Sequence, residues 1–309
     1  MRNILTYHVR AWFIACVSIC WILNCANAQQ DWSYAQYLFN LYDVNAAYAG
    51  NHHALSGSVR HRAQWVGLEG APQTQQVSLH APLAGEKLGV GVRIQRESIG
   101  ARQQWMVRGS AGYRIPIRDG SFSFALAGGL IRQELNPGGI AAQDWNDPQL
   151  DGQHWRSTSV SFDAAIFFHT TKWFAGIEAN RLNRSAMQWS DQSLARSFIH
   201  VNAVGGRYLK IGGNDLLAFT GLLRFSEPGL LQSDLNISWL WNNRIWFGAG
   251  YRTEAGPIFL IECNVNRQLR IGYSYDTNLQ AMRGYQDGSH EILVAFNLKP
   301  RDDRSIRQF

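Results

Sequence analysis

Leu88-Gly89-Val90-Gly91-Val92-Arg93-Ile94-Gln95 sets large aliphatic side chains at every second position, with glycine or a polar group between them. That is the two-residue period of a strand with one apolar and one polar face. The same alternation returns to the end of the chain. Leu235, Ile237, Trp239 and Trp241 share one face, and Asp234, Asn236 and Ser238 share the other. A soluble sandwich also alternates, but here the chain opens on what reads as an export signal and its apolar faces carry many aromatics. The fold class that accommodates both is all-β: an antiparallel transmembrane β-barrel in a bacterial outer membrane, lipid outside and polar side chains within.

Residues 1–28 have the three parts of a secretory signal. Arg2 and Arg10 supply the positive charge, Ala11 to Leu23 the apolar core, and Ala26-Asn27-Ala28 a small-residue site for cleavage between Ala28 and Gln29. The core is short for a membrane-spanning helix. Cys25 raises lipid attachment as an alternative, but Asn24 before it is larger than such sites prefer. Cleavage there leaves 281 of the 309 residues and one of the four cysteines, Cys263, which is read as a small packing residue inside a strand.

The formal charge of +6 becomes +4 without the signal, and the basic residues are 25 Arg against 4 Lys, scattered without a run. A nucleic-acid surface needs clustering on one face, so nucleic acid is excluded as a partner. Arginine on the polar face of strands suits a barrel lumen, where its fork meets carboxylates. Beyond the signal no apolar stretch reaches helical-span length.

Residues 29–53 form an aromatic-rich N-terminal segment with Trp32, Tyr34, Tyr37, Phe39, Tyr42 and Tyr48 and without clean alternation. Residues 29–50 carry only Asp31 and Asp43 as charges, so the segment is too apolar to be left in water and too short and irregular for a spanning pair. The sequence predicts that it docks at the periplasmic mouth or in the lumen, anchored by Tyr37, Phe39 and Tyr48, and that it largely blocks the pore. Fourteen strands are predicted in a barrel over 54–298: 54–65, 73–82, 87–97, 102–115, 121–134, 157–169, 173–180, 198–210, 215–225, 232–241, 245–252, 256–265, 267–276 and 289–298. An even count places both termini on the periplasmic side. Val90, Val92, Ile94, Val160, Phe162, Ile237 and Trp239 are assigned to lipid, and Arg93, Asp163 and Asn236 to the lumen. Trp65, Trp105, Trp173, Trp241 and Trp246 fall near strand ends, as an aromatic girdle requires. Leu135 to Arg156 and Leu182 to Ser197 read as long polar connections, and 299–309 as a charged tail.

Three stretches go beyond a generic barrel. Gln36-Tyr37-Leu38-Phe39-Asn40 followed by Asn45-Ala46-Ala47-Tyr48-Ala49-Gly50 resembles the Q-Y-x-F-N…N-P-A-Y-A-G opening of the PorP/SprF family. Gln64-Trp65-Val66-Gly67 with Gly70-Ala71-Pro72-Gln73-Thr74 resembles its first hairpin, and Gly288-Ser289-His290-Glu291-Ile292 the start of its last strand. Two departures stand out: Ala46 replaces the family's proline, and the chain runs on past Leu298. The resemblance implies a fourteen-stranded outer-membrane barrel working beside the type IX secretion machinery of Bacteroidota. It also implies partners among that machinery and among secreted or surface-anchored cargo such as adhesins, in some species with gliding motility. A passive porin is the alternative.

No catalytic, cofactor-binding or metal-binding residue is assigned. Adjacent His52 and His53 on an extended segment point to opposite faces. Asp144, Asn146, Asp147 and Asp151 lack the glycine and closing glutamate of a calcium loop, and no nucleophile motif accompanies the strand histidines. Arg60, Arg62, Arg93, Arg108, Arg114 and Arg270 are expected in the lumen with Asp163, Glu178, Glu262 and Asp276. Interleaved signs favour charge pairs bracing the barrel over an anion-selective pore.

Overall fold

A computed structural model describes residues 34–52, 54–83, 85–136, 155–190, 193–227, 229–253, 255–277 and 284–298. The expected signal and its Ala28/Gln29 cleavage site, His53, the acidic loop at 144–151 and the tail at 299–309 lie outside the described residues.

Fourteen antiparallel strands close on themselves. They are β1 (Ser56–Ala63), β2 (Gln73–Leu83), β3 (Leu88–Ile99), β4 (Arg102–Ile117), β5 (Gly120–Leu135), β6 (Trp155–Thr170), β7 (Trp173–Asn180), β10 (His200–Gly212), β11 (Asp215–Ser226), β12 (Leu230–Trp241), β13 (Ile245–Arg252), β14 (Gly256–Asn264), β15 (Leu269–Asp276) and β16 (Ser289–Asn297). β1 pairs with β2 on one side and β16 on the other, which leaves no barrel edge. The two remaining strands, β8 (Ala186–Ser190) and β9 (Ser193–Arg196), form a separate hairpin between β7 and β10. That hairpin falls where a polar loop was expected. It is short and belongs to a second sheet apart from the closed barrel.

One end of the barrel has only short connections, and the other has every long one together with the short turns after β3, β11 and β13. Those after β2, β4, β6, β10, β12 and β14 are short, and Asn242 and Asn243 turn the β12–β13 hairpin with φ of 49° and 54°, the left-handed pair that a tight hairpin uses. The long connections, 64–72, 136–154, 181–199 and 277–288, all lie at the opposite end. The chain enters β1 and leaves β16 at the short-connection end.

Side chains alternate in register around the wall. Leu126, Leu235 and Phe162 stand outward, 71%, 65% and 57% exposed, in a belt of uncovered aliphatic and aromatic groups. Water would penalise so large an apolar surface, whereas a bilayer favours it; this is an outer-membrane barrel. Ile94, Val160, Ile237 and Trp239 share that outward face, and Arg93, Asp163 and Asn236 point inward and are buried. Two side chains differ from the sequence reading. Trp246 is not in the girdle: its parity in β13 turns it into the lumen, 1% exposed, where it packs edge-on against Phe39 at 5.7 Å between centroids. Cys263 is exposed on the outward face instead of packed.

The phase of β3 makes a prediction. Ile94→Arg places a charge in hydrocarbon and should cost about 2–4 kcal/mol near mid-membrane. Gln95 faces a small polar cavity between Arg93 and Arg108, so Gln95→Glu should assemble as the parent does. Folding yield into bilayers, read as the heat-modifiable band, checks both; equal yields would reverse the assigned faces.

Candidate functional site: a filled lumen

The segment before β1 folds into three short 3-10 turns, Tyr37–Phe39, Leu41–Asp43 and Ala46–Tyr48, and every described residue from Tyr34 to His52 is buried. Its apolar residues follow no helical period long enough to sustain an α-helix, so the chain turns by single hydrogen bonds and local caps. Asn45 starts the third turn without the proline that Ala46 replaces. Its Oδ1 accepts from the Ala47 amide at 3.0 Å, and its Nδ2 donates to the Ile166 carbonyl of β6 at 3.0 Å. One side chain thus caps the turn and ties it to the wall. Gly50, with φ +76°, swings the chain toward β1, and any Cβ there would press on Pro82.

From that corner the segment runs back up the lumen. Ala49 lies beside Gly89 and Arg114, toward the short-connection end. Phe39 meets Trp246, and Tyr34 reaches Arg252, the last residue of β13 at the opposite end. The segment is therefore a plug along the bore and not a cover on one mouth. Wall glycines make room for it. A Cβ on Gly89 would sit 2.1 Å from the Ala49 carbonyl oxygen, and one on Gly91 would sit 2.4 Å from the Tyr42 hydroxyl. These are the glycines of the Leu-Gly-Val-Gly stretch: the small side of that alternation is where the plug touches β3.

Polar anchors hold the aromatics. Tyr42 pairs its hydroxyl with Ser110 at 2.8 Å. Asn236 donates to the Tyr37 hydroxyl at 2.9 Å, and that hydroxyl shares a second hydrogen bond with Thr220 Oγ1 at 3.2 Å. Tyr48 packs on Phe167 at 5.2 Å, and His52 on Tyr48 and His80.

The plug's own carbonyls, left open by turns of one bond each, are met by arginines of the wall. Arg252 donates to Tyr34 O at 3.1 Å, Arg60 to Gln36 O at 3.4 Å, Arg270 to Phe39 O at 2.9 Å, Arg93 to Asp43 O at 3.0 Å and Arg114 to Ala49 O at 3.3 Å. Most of these also hold a carboxylate: Arg60 with Asp43 at 3.0 Å, Arg93 with Glu178 at 2.5 Å, Arg252 with Asp234 and Asp276 at 2.8 and 2.9 Å, and Arg270 with Glu262 at 3.5 Å. A guanidinium serves a carbonyl and a carboxylate at once because its donors fan out in a plane, which an ammonium does not. This is the physical use of arginine over lysine in this chain. Arg108–Asp163 at 3.2 Å and Arg62–Glu291 at 3.3 Å complete a set of charge pairs, not a ring of one sign.

The residues of the quoted motifs fall into two groups. Gln36, Tyr37, Phe39, Asn40, Asn45, Tyr48, Ala49 and Gly50 lie in the plug, and Glu291 of β16 receives it: the Ala35 and Gln36 amides donate to its carboxylate at 3.0 and 3.2 Å. Asn40 reaches Ser58 and Ser78, both at 2.8 Å. Gln64, Trp65, Gly70, Ala71, Pro72, Gly288 and Ser289 form the rim at the long-connection end. There the Gln64 amide donates to Pro72 O at 2.9 Å and the Trp65 amide to Ser289 Oγ at 3.2 Å. His290 faces outward and bonds the Tyr273 hydroxyl at 2.7 Å. Arg224 and Arg252 are site residues to which the sequence reading gave no lumen role, although each occupies an inward parity of a predicted strand; Asp234 was placed only on a polar face, and Trp246 was assigned to the girdle. Among the described residues no three His, Cys, Asp or Glu side chains converge as metal ligands.

Solved structures share the architecture. The toluene transporter TbuX of Ralstonia pickettii aligns over 84% of this chain and 92% of its own at 9% identity, with a TM-score of 0.50. Omp33 of Acinetobacter baumannii aligns over 80% and 99% at 8% identity with a TM-score of 0.46, and the Pseudomonas putida toluene transporter TodX over 86% and 93% at 9% identity with a TM-score of 0.44. At such identities the likeness extends to the fold alone. No curated protein sequence matches the chain. The profile of a family described as type IX secretion system membrane protein PorP/SprF matches residues 26–296. That match covers the plug, the barrel and both motif-bearing ends, and the chain belongs to the PorP/SprF family.

Proposed function

We propose that this chain is an outer-membrane component of the type IX secretion system that supports secretion or cell-surface anchoring of cargo proteins such as adhesins. Its filled barrel holds partners instead of passing solutes. The observation that carries this reading is the lumen. Among the described residues, a buried plug whose carbonyls are held by five wall arginines fills the lumen, and family membership supports a link to secretion. The end with only short connections, where the chain enters β1 and leaves β16, faces the periplasm, and the end with the long connections faces the outside, as in other outer-membrane barrels. Machinery proteins then meet the periplasmic rim and cargo the outer one.

Deletion of the gene tests the reading. Surface and secreted proteins compared between parent and deletion strains should differ in a small set of exported proteins, and a plasmid copy should restore them. Unchanged export together with lost uptake of a small solute would favour the porin alternative.

A further inference from the structure

A cavity of about 470 Å³ opens at the short-connection end, bounded by the turns at 85–87, 118–121 and 169–171. Arg114 of β4 lies in its wall, 8% exposed. Arg60, Arg62, Arg93, Arg108, Arg224, Arg252 and Arg270 each have a carboxylate at 3.5 Å or less. Arg114 is the exception among these inward-facing arginines. Among the described residues it makes one hydrogen bond, to Ala49 O at 3.3 Å, and its Nε is buried with no partner there. A buried guanidinium with open donors is unfavourable until water or an anion completes it, and an anion completes it better. Lys87 and Arg118 line the cavity with it, against Glu86 and Asp119. That leaves one surplus positive charge, which matches a singly charged carboxylate better than a doubly charged phosphate.

We infer that this cavity binds a carboxylate-bearing ligand of di- to tripeptide size, with Arg114 as its anchor. The volume lies in the range of small-molecule sites, and a guanidinium edge matches the two oxygens of a carboxylate. Ser121, 5% exposed and bonded to His169 at 2.7 Å, supplies a second polar wall. Because Arg114 also holds the Ala49 carbonyl, the ligand sits against the last turn of the plug. The inference rests on the filled barrel and not on a role in secretion.

Calorimetric titration of the mature protein in detergent tests it, with trialanine, trialanine amide and inorganic phosphate as probes. Trialanine should bind, the amide about tenfold or more weakly, and Arg114→Gln should weaken trialanine by a similar factor. Thr171→Trp, on an exposed turn at the cavity mouth, should block binding while leaving Arg114 in place, which covers the case in which Arg114→Gln fails to fold. A longer peptide ending in the same residues separates the sources: equal affinity assigns the site to a chain end, and lost affinity to a free small carboxylate. Equal binding of acid and amide, preference for phosphate, or full binding by both variants would each overturn the inference. A barrel that stays closed to ions while failing to bind trialanine would overturn it alone and leave the plug reading intact.

Discussion

Deleting residues 34–50 should turn a silent barrel into a steadily conducting one. The segment supplies the side chains that fill the bore, among them Tyr37, Phe39 and Tyr42, each fully buried. The wall behind it is polar, with serines, glutamines and arginines at the inward positions. With the plug gone, that wall faces a space too wide for its own side chains to fill, and water enters, as in the larger porins. In planar bilayers the intact protein should show at most brief openings, and the deleted form a stable, ohmic conductance. A large steady conductance from the intact protein, unchanged by the deletion, would reject the plug and revive the porin alternative.

The way the plug is held bears on what it does. No single contact holds it, since a hydrogen bond to a charged group nets about 1.5–3 kcal/mol. Its arginine contacts are distributed from Ala49 to Tyr34, along the whole length of the bore. Removing any one leaves the others, so the segment is a permanent filling in the isolated protein and not a hinged lid. A partner that opened it would have to compete for several arginines at once.

Strand positions were legible because alternation is local. Each strand reports its own faces, and a slip of one residue would bury every charge in lipid. Burial of Tyr37, Phe39 and Tyr48 followed from composition, since aromatics that cannot span must dock. What docks with what was not legible. Gln36 of the plug meets Glu291 of β16, 255 residues away, and Arg62 faces Glu291 across the closing seam; no local pattern announces either contact. Trp246 was misplaced because nearness to a strand end was allowed to outweigh parity; Phe247 beside it holds the outward position. The arginine–carbonyl bonds were invisible because backbone acceptors leave no mark on side-chain identity. The glycines at 89 and 91 did leave a mark, but one that reads as polar-face alternation until the plug is seen against them.

Arg252→Met should be the most damaging single substitution in the wall. The Arg252 side chain, 1% exposed, bonds Asp234 at 2.8 and 2.9 Å, Asp276 at 2.9 Å and Tyr34 O at 3.1 Å. Methionine fills similar space, so the loss is electrostatic: Asp234 keeps Arg224 and Asp276 keeps Arg62, each carboxylate short of one cation. Breaking a buried pair in this way costs about 3–5 kcal/mol, visible as a lower urea midpoint for the heat-modifiable form in detergent. Arg132 is paired with Glu134 at 2.8 Å on the outward face of β5, at the strand's long-connection tip beside its last residue Leu135 and not in the apolar belt. Arg132→Met should cost less than about 1 kcal/mol, because water screens that pair. The same chemical change therefore measures how dry the lumen is. If the plug is what excludes water, the Arg252→Met penalty should shrink toward the Arg132 value in the protein lacking residues 34–50. A penalty that stayed at its full size there would mean that the wall network, and not the plug, keeps the bore dry.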